Sequence, residues 1–107
     1  MNIEQILTAM RKHAPELAKA KADRVYLEQF RKSKKAILYQ QAPDGTIAEK
    51  EAYAYSHPEY LEVLDGLREA VEAEEELKWR MAAAQHRIDV WRTLSADRRK
   101  EFQNYGN

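Results

Sequence analysis

The chain has 107 residues, 18 basic and 18 acidic side chains, no cysteine, three glycines and three prolines. Such a balance gives the whole chain no net pull on nucleic acid or membrane, and the missing cysteine excludes a disulfide framework or thiolate metal site. This length fits one domain, residues 1–107, and abundant charge with few turn formers favours long helices.

Asn2 to His13 places Ile3, Ile6, Leu7 and Met10 at helical spacing, and Met1–Ala9 lacks the apolar core of a signal peptide. The segment is expected to form a short helix that Pro15 ends, because the residue before a proline is pushed out of the α region. From Pro15 to Gln41 a long helix is expected, its inner face built from Ala18, Ala22, Val25, Tyr26, Phe30, Ala36 and Ile37. Arg24, Arg31 and Lys35 then fall on the opposite, solvated face.

Ala42-Pro43-Asp44-Gly45 reads as a turn. Thr46 and Glu49 have the form of a capping box before a short helix, Ile47 to Tyr55. Ser56 and Glu59 repeat the pattern around Pro58 and launch a second long helix that reaches Leu94, with only Gly66 as a potential breaker. Its main stripe is Leu64, Leu67, Val71, Leu77, Met81, Ala84, Ile88 and Trp91. Ser95 is expected to cap a last short helix through Phe102.

The fold class this predicts is all-α: a long antiparallel two-helix hairpin with a helical elbow and short terminal helices. Charge order agrees. Residues 1–42 carry nine basic and four acidic side chains, 43–77 two and eleven, and 78–107 seven and three. Folding at the elbow brings the basic run 31–35 level with Glu62, Asp65, Glu69 and Glu72. It also gathers basic residues away from the elbow. In this register Phe30 and Ile37 oppose the Leu64–Val71 segment.

A second stripe, Trp79, Ala83, His86, Val90 and Leu94, runs opposite Met81 and Ile88, so this half of the helix is apolar on two faces. Either the same chain covers it or a second protomer does. Because a two-helix core is thin for this length, a homo-oligomer completing a helical bundle is the favoured reading. Placing His86 inside such an interface would make a charge there costly.

No catalytic, cofactor-binding or metal motif emerges. His86 reads as a packing residue, and His57, before Pro58, as a cap or turn residue. Adjacent glutamates at 72 and 74–76 point in different directions on a helix, so they read as a face paired with Arg24 or the 31–35 run. The chain is therefore expected not to be an enzyme. Protein contacts are its expected mode of action. The alternative is binding of DNA or RNA phosphates through Arg11, Lys12, Lys19, Lys21, Arg80, Arg87, Arg98, Arg99 and Lys100.

Three segments, Tyr26 to Ala36 (YLEQFRKSKKA), His57 to Leu61 (HPEYL) and Glu76 to Arg92 (ELKWRMAAAQHRIDVWR), resemble small helical proteins of tailed phages and prophages. The resemblance implies a phage accessory protein in the host cytoplasm, with a phage or host protein partner in DNA recombination or replication. It carries no catalytic residues. No apolar run reaches the ~20 residues needed to span a bilayer, so no membrane partner is expected.

Overall fold

A computed structural model describes residues 2–106. Three helices follow one another: α1 (Ile3–Gln41), α2 (Ile47–Ser56) and α3 (Pro58–Gly106). Contacts divide the chain into two units, Met1–Leu17 with Glu76–Asn107 and Ala18–Glu75, so the division falls inside both long helices. In each unit α1 and α3 run antiparallel. Leu27 meets Gly66 and Lys34 meets Glu59 in one; Ile6 shares a groove with Val90, and Met10 shares one with Met81, in the other.

Among the side chains drawn at least partly out of water, one series on each helix steps by three and four. In the first unit these are Ile3, Ile6, Met10, His13 and Leu17 on α1, against Leu77, Met81, Ala84 and Ile88 on α3. In the second they are Ala20, Arg24, Leu27, Arg31, Lys34 and Leu38, against Tyr60, Val63, Leu67, Ala70 and Glu74. A strict three-four alternation averages 3.5 residues, the repeat of a coiled-coil seam. At the elbow, Leu38, Ala54 and Tyr60 form a buried cluster across all three helices, with Tyr39 and Leu64 packed against it.

The expected inner face of α1 is therefore out of phase. Val25, Tyr26 and Ile37 are exposed, Phe30 lies at the rim of a groove with Val63 and Gly66, and Arg24, Arg31 and Lys34 take the seam instead. Long basic side chains bury their methylene stems while their charged heads find partners or water. An apolar count overlooks that capacity. The register shifts accordingly: Lys34 pairs with Glu59 at 3.0 Å and Lys35 approaches Glu51 at 4.0 Å, both closer to the elbow than the glutamates expected.

Three expected boundaries also move. The structure carries α1 straight through Pro15. That proline is exposed, so the Arg11 carbonyl left without a donor lies on the solvent side, while Met10, His13 and Leu17 hold the chain against α3 on either side. An Asn2–Gln5 box starts the helix, Gln5 N–H donating to Asn2 Oδ1 at 2.9 Å and Asn2 N–H to Gln5 Oε1 at 3.1 Å. Ser56 ends α2, its hydroxyl donating to Ala52 O at 2.7 Å. The cap of α3 is His57, whose Nδ1 accepts the Glu59 N–H at 3.0 Å. Finally, α3 continues through Ser95, which is half-buried at the next seam step after Trp91 and has no helix breaker beside it. The Thr46 box forms as expected, with Glu49 N–H donating to Thr46 Oγ1 at 3.1 Å.

Trp91 lies at a seam step but remains 49% exposed, whereas Ile88 is buried. Ile88→Ala is expected to cost about 2–5 kcal/mol. Trp91→Ala should cost less, and denaturant midpoints at constant slope measure the difference. Gly66 sits inside α3, where an added Cβ would meet only the end of Leu27 at 4.0 Å. Gly66→Ala is therefore expected to stabilise the protein by about 0.5–1 kcal/mol, read as a higher melting temperature.

Candidate interaction surface

The alternation that fills the seam leaves other apolar residues outside it. On α3, Trp79 is 73% exposed and Leu94 52%, with Ala83, His86 and Val90 also exposed. All five belong to one unit, and among the described residues of that unit neither α1 nor the stretch around Phe102 covers them. The stripe is not flat throughout. His86, Val90 and Leu94 join Trp91 and the α1 residues Ile3 and Ile6 around an open groove of about 450 Å³, and Ala83 lines a second groove with Met10, His13 and Met81.

Sequence patterning missed a second exposed apolar set in the other unit. Tyr26 and Phe30 stack on the surface of α1 with ring centroids 5.9 Å apart, and Val25, Ile37, Leu61 and Val71 are exposed in the same unit. Val25, Tyr26, Phe30, Ile37 and Val71 recur at helical spacing and so read as core in the sequence, whereas Leu61 falls on neither stripe. The signal that identifies them as outside is the competing three-four series through Leu27 and Leu38, which places Arg24 and Arg31 inward.

Arg24 makes the most enclosed polar contact. Its Nε and Nη2 donate to the two carboxylate oxygens of Glu74, which is 1% exposed, and its Nη1 donates to Glu28 at 2.9 Å. Hydrogen bonding to Glu74 and then to Glu28 holds the guanidinium firmly charged, above its already high range. Glu74 thus pairs with Arg24, but as a seam residue. The expectation of a solvated face does not hold there: packing against α1 encloses its carboxylate, and the guanidinium replaces water as its partner.

The expected nucleic-acid residues divide between the units. Arg11, Lys12, Arg80, Arg87, Arg98, Arg99 and Lys100 are exposed in the unit that contains the Trp79 stripe; Lys19 and Lys21 are exposed in the other. The first unit carries nine basic and six acidic side chains, the second nine and twelve. Lys19 pairs with Asp23 at 3.2 Å and Arg80 with Glu76 at 2.6 Å, so part of this charge is already answered along the same helix. Among the described residues no group of three or more His, Asp or Glu side chains converges as a metal cluster.

At the elbow, the Lys34 ammonium beside Glu59 holds that carboxyl below its ordinary value of 4.5, by hydrogen bonding first and charge second. A carboxylate lowered in the folded state contributes stability that is present above its unfolded value and is lost as pH falls through the folded one. Carbon-detected titration of Glu59 is therefore expected to give a midpoint below 4.5, and Lys34→Gln should move it upward. An unchanged midpoint in the variant would remove Lys34 as the cause.

No family model matches the chain, and no similar curated protein or solved structure is found.

Proposed function

We propose that the protein is a non-enzymatic interaction module that self-associates through Trp79, Ala83, His86, Val90 and Leu94. The observation that carries this reading is the exposure of that stripe on a helix whose opposite side is already packed. Among the described residues the buried hydrophobic side chains are Ile6, Ala20, Leu38, Ala54, Tyr60 and Ile88, a small core for a chain of this length. Contiguous exposed apolar surface of this kind marks interaction sites on proteins. A second copy would remove Trp79 from water, and the small Ala83 would let its helix approach closely.

In the setting that the sequence resemblance suggests, the assembled module acts as a phage accessory protein in the host cytoplasm, contacting a phage or host partner in DNA metabolism. Among the described residues no helix is long and apolar enough to cross a membrane. A second reading, direct contact with DNA or RNA, is favoured by the excess of basic residues in the first unit and by exposed Arg98, Arg99 and Lys100. It would bind phosphates without reading sequence, so its affinity would fall steeply with salt.

Sedimentation of the native chain over a range of concentrations is expected to show a homo-oligomer, and Trp79→Glu a shift toward monomer. A native chain that is monomeric throughout would refute self-association, while a fully assembled Trp79→Glu variant would move the interface off this stripe. Titration with single- and double-stranded DNA at two salt concentrations separates the second reading. Strong salt dependence supports it, and no binding at low salt excludes it.

A further inference from the structure

The basic run of α1 is not fully neutralised by its neighbours. Lys34 is taken by Glu59, and Lys35 lies 4.0 Å from Glu51, with its ammonium 4.5 Å from the centre of the Tyr55 ring. Arg31 and Lys32 have no carboxylate partner among the described residues, and Arg31 Nε is a buried nitrogen with no hydrogen-bond acceptor. A buried donor left unpaired is costly, and native proteins seldom keep one without a reason.

These side chains meet around one cavity. Arg31, Lys32 and Lys35 from α1, Tyr55 from α2 and Tyr60 from α3 line a half-open pocket of about 300 Å³, all within the Ala18–Glu75 unit. Arg31 and Lys35 stand one helical turn apart on the same side of α1. The pocket walls are fixed from behind: Tyr60 is buried in the elbow cluster, and its ring meets Tyr55 edge-on at 5.4 Å. The three cations are thus presented by a packed corner of the fold, with Glu51 as the nearby counter-charge from α2.

We propose that this pocket binds a phosphate monoester. Arg31 and Lys32 supply charge-assisted hydrogen bonds to its oxygens, Lys35 adds a third cation, and Tyr55 and Tyr60 form the walls beside the ester. A tetrahedral dianion suits the set because it accepts from several donors at once, and because the guanidinium fork matches its oxygens. Too few apolar atoms line the pocket to hold a wholly hydrophobic ligand; its chemistry is that of a compact anion. This site is separate from the Trp79 stripe, and it stands or falls independently of self-association.

The test is nuclear magnetic resonance of the full chain, following the Arg31 Nε–H signal and the backbone amides of α1 during titration with inorganic phosphate. Chloride at matched ionic strength is the reference. Binding predicts a saturable shift in phosphate alone, weakened about tenfold in Arg31→Gln, the loss of one charge-assisted hydrogen bond. Lys32→Gln, an exposed substitution that leaves the packing intact, is expected to weaken it as well. Identical responses to phosphate and chloride overturn the proposal, as does unchanged phosphate affinity in both variants. A nucleoside 5′-monophosphate and oligonucleotides with and without a 5′-phosphate then identify the source. Preference for the phosphorylated oligonucleotide assigns the phosphate to a nucleic-acid end, and equal or better binding of the mononucleotide assigns it to a small ester; the site stands in both cases.

Discussion

Two helices packed side by side can each bury only one stripe, and that geometric limit governs this protein. In each unit a seam repeating every 3.5 residues takes one stripe of each helix, through Ile6, Met81 and Ile88 in one and Leu27, Leu38, Tyr60 and Leu67 in the other. Apolar residues off that stripe must lie at its margin or outside it. Trp79, Leu94, Tyr26 and Ile37 are exposed for this reason, although their composition would suit a core. The same limit explains why the elbow matters. Only there does a third helix join, and only there do Leu38 and Ala54 lose all contact with water.

The seam is mixed in character, and its polar members constrain the pairing. Leucine and isoleucine layers tolerate sliding by one repeat, since one apolar contact resembles the next. The Arg24–Glu74 pair does not tolerate it. Sliding would leave a carboxylate enclosed without its guanidinium, and breaking a buried pair by removing one partner is far more destabilising than never having formed it. Glu28 adds a second acceptor along α1, and Lys34–Glu59 repeats the arrangement nearer the surface. We regard these pairs as fixing register more than adding strength, as buried polar groups do in other coiled coils.

Much of the architecture is legible in the residues. The long helical runs, the Pro43-Asp44-Gly45 turn, the Thr46–Glu49 box and the inward position of Met81, Ala84 and Ile88 follow from spacing and local chemistry. What could not be read by counting apolar residues is the phase of α1. Two stripes compete there, one rich in aromatics and one rich in arginine and lysine, and the polar one lies inward because α3 offers Glu74 and Glu59 opposite it. Pro15 reads as a stop by its local chemistry, yet packing on both sides outweighs a local penalty of about 3 kcal/mol. The candidate surface was identifiable as a second stripe, but the pocket at Arg31 was not. It needs α1, α2 and α3 together, and no linear spacing links Arg31 to Tyr55 and Tyr60.

The elbow also orders the chain in time. Leu38 and Ala54 lie close together along the sequence, whereas Arg24 and Glu74 are 50 residues apart. The entropy lost in closing a loop rises with its length, so the Leu38–Ala54–Tyr60 cluster is the least demanding contact to form first. Once it exists, each further layer closes a short increment instead of a long loop. Pairing within the Ala18–Glu75 unit thus spreads outward from the elbow, one turn at a time.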